Sequence, residues 1–206
     1  AMAPIYAQQV GQRPIHFGFT YDEEVGCLGA QHLAEDLKAR GILPGVAIIG
    51  EPTEMRVIEG HKGCYEYTTR FQGLEGHGSA PDLGVNAVEY AVQYVARLLE
   101  LKSQLRTRAP DDSPFDPPWT TVNVGAFQGG TVHNVIASKA QVDWEMRPVQ
   151  KSDADFVKSN LNTLCNEVLL PRMRDIFPAA SIETEVVGEV DGLVPALQNE
   201  ARTILF

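Results

Sequence analysis

The sequence predicts an α/β protein in two parts, a partial open-sheet α/β segment followed by a ferredoxin-like βαββαβ domain. Three observations predict it. The first 60 residues read strand, helix, strand, the βαβ unit of an α/β sheet. Past Gly63 the apolar residues alternate along strands with one wet face. The order of elements from there is β-α-β-β-α-β, the split βαβ arrangement.

Each element has its own signal. Pro14–Thr20 (PIHFGFT) is a short apolar run rich in β-formers and reads as a buried strand. A helix with Ala30, Leu33 and Leu37 on one face ends near Gly41, and Val46–Ile49 is a second buried strand. Tyr65, Tyr67, Thr69 and Phe71 alternate with Glu66, Thr68 and Arg70, which predicts a half-buried strand. Val85, Val88, Val92, Val95 and Leu99 step by three and four and predict one apolar helical face. After the Pro/Asp-rich loop 109–118 comes a strand with Val122, Val124 and Ala126 on one side, then a turn at Gly129-Gly130. Ala140, Val142, Trp144 and Met146 alternate with Gln141, Asp143, Glu145 and Arg147 in the next strand. Ser152 and Asp155 read as a capping box opening a helix whose core face holds Val157, Leu161, Leu164 and Val168. Ile182, Thr184 and Val186 complete the pattern as a last strand.

Composition excludes several classes. Of 206 residues, 17 are Lys or Arg and 27 are Asp or Glu, a formal net charge of −10. An acidic chain without a basic cluster speaks against nucleic acid as a partner. No apolar run reaches the ~18 residues that a membrane span needs, and the N-terminal residues lack the pattern of a secretory signal. Cys27, Cys64 and Cys165 are odd in number and far apart, which suits free thiols in a reducing cytoplasm.

Asp22, Glu23 and Glu24 stand at the end of the first strand and Glu51 at the end of the second. Open α/β sheets bind ligands at such strand ends. Neighbouring carboxylates there can divide between ligating a divalent ion and serving as a general base to its water; a solvated acidic turn is the other reading. Gly76-His77-Gly78-Ser79-Ala80-Pro81 leaves an imidazole accessible as a donor to an oxyanion, or is a plain turn before a helix. Gly129–Asn134 reads as a hairpin connection with polar side chains, and Arg147 as a carboxylate ligand or a residue on a wet strand face. His61-Lys62-Gly63 marks the join between the two parts.

Taken in order, T-Y-D-E-E-V-G-C-x-G (20–29), G-E-P-T (50–53), G-H-K-G (60–63), G-H-G-S-x-P (76–81), G-G-T-x-x-N-V-I (129–136) and E-M-R-P (145–148) resemble the dinuclear-zinc deacylases. That metallopeptidase family includes acetylornithine deacetylases, succinyl-diaminopimelate desuccinylases and aminoacylases. The first and third motifs are most similar in wording to the acetylornithine deacetylases. The resemblance implies a zinc-peptidase-like catalytic domain, residues 1–61 and again from 188–206, interrupted by a ferredoxin-like lid and dimerisation domain at 62–187. It implies Glu23 as general base, Glu24 and Glu51 as metal ligands, and His77 reaching into the partner subunit's site to stabilise the oxyanion. Asn134 and Arg147 match substrate-binding residues.

The implied activity is metal-assisted hydrolysis of an N-acyl amino acid, N-acetylornithine in arginine biosynthesis, with two zinc (or cobalt) ions and a cytoplasmic homodimer joined through the lid domain. A related desuccinylase or aminoacylase would use the same base and ligands, and a non-catalytic dimerisation or binding module is the alternative of another class. The family's H-x-D metal motif, bridging Asp and last metal His have no counterpart in this sequence, which predicts an inactive internal piece of a longer enzyme.

Overall fold

The computed structural model describes residues 3–8, 14–24 and 26–205. The chain divides into two compact units, Ala1–Glu51 and Pro52–Phe206.

The first unit contains helices α1 (Ala3–Gln8) and α2 (Leu28–Ala39). The predicted helix is thus present, and it closes on Arg40 with Gly41 at a φ of 68°. The two predicted strands are not. Residues 14–20 and 46–49 are irregular, with Phe19 89% and Ile49 80% exposed. A strand exists only when its N–H and C=O groups pair with a neighbour in a ladder, and among the described residues neither segment belongs to a sheet. Apolar content and β-propensity are insufficient without that partner.

The second unit carries the predicted ferredoxin-like order. Strands β1 (Cys64–Gln72), β3 (Thr121–Gly129), β5 (Lys139–Arg147) and β6 (Ser181–Val190) form one sheet in the order β3-β5-β1-β6, every neighbour antiparallel. A two-residue strand, β2 (Gly76–His77), pairs with β4 (Val135–Ile136). Helices α3 (Ala87–Leu105), α4 (Lys151–Thr163) and α5 (Leu170–Ile176) complete the domain, and α6 (Glu200–Leu205) follows.

One face of the sheet packs on the helices and the other is polar. Tyr65, Tyr67, Thr69 and Phe71 of β1 and Ala140, Val142, Trp144 and Met146 of β5 are buried against Ala91, Tyr94, Leu98 and Leu101 of α3 and Val157 and Leu161 of α4. Each fully buried side chain of this size contributes about 1.5–3 kcal/mol. The polar member of the core, Thr69, is satisfied: Trp144 Nε1 donates to its Oγ1 at 3.1 Å, and it bonds Tyr94 and Thr184.

Four local expectations are corrected by packing. The buried stripe of α3 is Ala87, Ala91, Tyr94, Leu98, Leu101 and Leu105, while Val92 and Leu99 are 51% and 50% exposed; the helix has an outer apolar stripe beside the buried one, and the sequence pattern ran across both, since Val88 and Val95 do pack against the core. In β3 a bulge at Gly125 pairs Val124 with Trp144 but Ala126 with Asp143, so Ala126 moves to the polar face and Phe127 takes its place. Helix α4 starts at Lys151 with Gln150 as its N-cap and no side-chain cap. Ser152 lies inside the first turn, and the buried group there is Asp153, which accepts from Arg108 Nε at 2.8 Å and Thr120 Oγ1 at 2.6 Å. Finally, a π-helical stretch, Leu164–Leu169, follows α4. An α-helix overshoots a full turn by about 40° every four residues. The wider π turns absorb that drift, so Val157, Leu161, Cys165, Leu169 and Met173 share the buried face and Val168 is exposed.

Candidate functional site

The acidic turn is built by the backbone. Glu23 carbonyl accepts from the N–H groups of Gly26 and Cys27, and Gly29 N–H donates to Tyr21 carbonyl at 3.1 Å. A Cβ on Gly29 would lie 2.5 Å from Tyr21 nitrogen, so only glycine closes this turn. Asp22, Glu23 and Glu24 project into solvent, and Glu51 is likewise exposed. Exposed carboxylate oxygens suit a divalent cation, so Glu24 and Glu51 fit the chemistry of a metal ligand. The two strand ends expected to carry Glu24 and Glu51 do not form, because residues 14–20 and 46–49 are irregular. Among the described residues, the group of three metal-capable side chains within 4.8 Å of one another is a different one, Cys64, Glu66 and Glu145.

The His77 loop is held from both sides. β2 pairs with β4, and Gly78 N–H donates to Asn134 carbonyl at 2.8 Å. A Cβ on Gly78 would stand 3.1 Å from that carbonyl, which explains the glycine after the histidine. His77 and Asn134 are thus brought together at one end of the domain, both exposed. The backbone N–H of Ser79 donates to His77 Nδ1 at 3.2 Å, and Ser79 Oγ lies 2.7 Å from the same nitrogen. A nitrogen that accepts from an N–H carries no proton, so in the neutral ring the proton sits on Nε2. That leaves an outward N–H donor, the form an oxyanion requires.

Arg147 stands at the opposite end of β5. Its Nε and Nη2 reach Glu145 Oε2 at 2.9 and 2.7 Å. Beyond it, Pro148 carbonyl accepts from Gly63 N–H at 2.9 Å, and Pro148 Cγ fills the space a Cβ on Gly63 would need. The G-H-K-G and E-M-R-P segments therefore pack on one another. His61 and Leu193 exchange two backbone hydrogen bonds beside them, and Lys62 Nζ donates to Trp119 carbonyl at 2.9 Å. At 3.4 Å per residue, β5 separates the 129–138 turn from Arg147 by about 27 Å. His77 and Asn134 thus lie beside the start of β5 and Arg147 at its end.

Sequence reasoning missed Ser79 and Glu145. Both were legible as spacing, Ser79 two residues after the histidine and Glu145 two before Arg147 on the same strand face.

A ferredoxin-like sheet with a helix-covered face, a polar face and a histidine carried on the short β2–β4 pair defines the class of domain. Residues 59–173 match the peptidase dimerisation domain family, and the chain belongs to that family. It is 35% identical over 160 residues to the acetylornithine deacetylase of Klebsiella pneumoniae (strain 342), covering 78% of this chain and 40% of that protein. It is 34% identical over 160 residues to the acetylornithine deacetylase of Shigella sonnei (strain Ss046), with the same coverage. The chain thus spans about two-fifths of the length of the curated relatives it matches. Among solved structures, a tripeptidase from Staphylococcus aureus subsp. aureus Mu50 shares the fold, with a TM-score of 0.62 and 20% identity over 90% of this chain and 44% of that one. Among the described residues no helix is long and apolar enough to cross a membrane.

Proposed function

We propose that this chain is the dimerisation-domain portion of a metal-dependent amide hydrolase that removes the acetyl group from N-acetyl-L-ornithine. The substrate reading is supported by the two acetylornithine deacetylases it resembles. The observation that carries the dimeric reading is the separation of His77 and Asn134, beside the start of β5, from Arg147 at its end, since a strand of that length spans about 27 Å, more than one small substrate bridges. Residues 62–187 then form the lid of a cytoplasmic homodimer, flanked by catalytic-domain segments at 1–61 and 188–206. The outer stripe of α3, Val92 and Leu99, and the edge strand β3 with exposed Phe127 offer the contact surface.

In this reading Glu24 and Glu51 would hold part of a pair of zinc or cobalt ions, which when bound would supply an activated water and a Lewis acid for the acyl carbonyl. Glu23 takes the proton from the attacking water and returns it to the departing amine. The C–N bond breaks, and acetate and ornithine leave, a step of arginine biosynthesis. His77 Nε2–H of one copy donates to the oxyanion, Asn134 of that copy contacts the substrate, and Arg147 of the other holds the α-carboxylate.

The test is hydrolysis by the complete reading frame, metal-loaded, of N-acetyl-L-ornithine, N-succinyl-L,L-diaminopimelate and N-acetyl-L-methionine. The expected result is a kcat/KM for N-acetyl-L-ornithine at least about tenfold above the others. A preference for the succinyl compound would make the protein a desuccinylase, and no hydrolysis of any would remove the enzymatic reading.

A further inference from the structure

Arg147 sits in an anionic setting that its strand neighbours create. Glu66 of β1 and Glu145 of β5 are directly opposite one another in the ladder, an arrangement that is unfavourable for two like charges. With the Cys64 thiol, their donor atoms lie within 4.8 Å of one another. The guanidinium is the cation that offsets this repulsion. Glu145 Oε2 takes both Nε and Nη2, which fixes the side edge of the planar fork, and the guanidinium also faces the Cys64 thiol and Glu66; a carboxylate ligand would take the end edge, Nη1 and Nη2. The backbone is fixed as well, because Pro148 is seated on Gly63. Burial works against the charge on Arg147, yet Glu145, Cys64 and Glu66 together raise its pKa, so it is a cation under all ordinary conditions.

We infer that Glu145 is a positioning residue that aims the end edge of the Arg147 guanidinium at the α-carboxylate of the substrate. The inference rests on the substrate reading of Arg147 and adds a residue to it. Without Glu145 the guanidinium keeps its charge but loses its orientation, and a flexible Arg side chain must be reordered each time a carboxylate binds. The loss falls on recognition of the carboxylate and spares the chemistry at the amide.

The test uses the complete, metal-loaded enzyme with N-acetyl-L-ornithine and its α-carboxamide. Glu145→Ala is expected to raise KM for the carboxylate substrate about tenfold, with kcat within about twofold, and to narrow the preference for carboxylate over carboxamide by a similar factor. Glu145→Gln, which keeps an acceptor oxygen at the same reach, is expected to restore much of that preference. If Arg147→Ala removes the preference while Glu145→Ala leaves it and KM unchanged, the positioning role is overturned. A fall in kcat and melting temperature with the preference intact overturns it equally. An unchanged preference in Arg147→Ala instead overturns the substrate reading on which the inference stands.

Discussion

His77 Nδ1 accepts a hydrogen bond from the backbone N–H of Ser79, with the Ser79 hydroxyl 2.7 Å away. The backbone contact, which no side-chain change removes, is what sets the tautomer. His77→Ala in the complete enzyme should therefore lower kcat by about 100-fold or more, the scale of a lost oxyanion donor. Ser79→Ala should cost less than about tenfold, because the N–H remains. Steady-state kinetics of the two variants check this; equal losses would show that the hydroxyl holds the ring.

Gly63 is packed beneath Pro148, with Pro148 Cγ 2.7 Å and Val190 carbonyl 3.1 Å from where a Cβ would stand. Neither can retreat without shifting a strand end. Gly63→Ala should destabilise the domain by about 1–3 kcal/mol and, in the complete enzyme, raise KM by moving Arg147. Urea denaturation and kinetics measure the two effects.

The two stripes of α3 should separate stability from association. Leu98→Ala removes a fully buried side chain and should cost about 2–5 kcal/mol. Leu99→Glu, on the exposed stripe, should leave the fold of a protomer within about 0.5 kcal/mol but shift the protein from dimer to monomer in sedimentation. A dimer unaffected by Leu99→Glu would place the interface elsewhere.

Glu189 accepts from Tyr67 hydroxyl and pairs with Lys158 Nζ. Burial would raise its pKa, but Lys158 and Tyr67 outweigh it and hold the carboxyl below its ordinary value. With the folded pKa below the unfolded one, its contribution is present above the unfolded value of about 4.3 and is lost as pH falls through the folded pKa. Glu189→Gln should thus destabilise on the order of 1 kcal/mol at pH 7, a figure kept low by the pair's partial exposure. The difference should shrink steadily as the pH is lowered from 7 and be smallest at the lowest pH at which the protein stays folded. Equal destabilisation at pH 7 and at that lowest pH in urea melts would contradict the charge assignment.

The ferredoxin-like half of the fold was legible because its strands alternate cleanly. Ala140, Val142, Trp144 and Met146 point one way and Gln141, Asp143, Glu145 and Arg147 the other, and a period of two leaves little choice of register. The helices were legible as helices, and Val157 and Leu161 of α4 face the core as expected, but the phase was read only in part. Helix α3 carries Val92 and Leu99 on a second apolar stripe, and the π turn after α4 carries the buried face from Leu161 to Cys165 rather than Leu164. Neither effect has a signature in a single periodicity. Residues 14–20 and 46–49 read as strands from composition alone, but pairing is a property of neighbours, not of the segment. The candidate residues were visible as motifs, whereas the placing of His77 and Arg147 at opposite ends of β5 needed the sheet.

That placing makes subunit mixing the most direct measurement. His77→Ala and Arg147→Ala protomers of the complete enzyme, each weak alone, should on exchange form mixed dimers with one site that has both residues intact. At statistical mixing this returns about a quarter of the unmutated kcat/KM. No recovery, with exchange verified by mass, would mean that His77 and Arg147 serve the site from a single chain, and the cross-subunit account would fail.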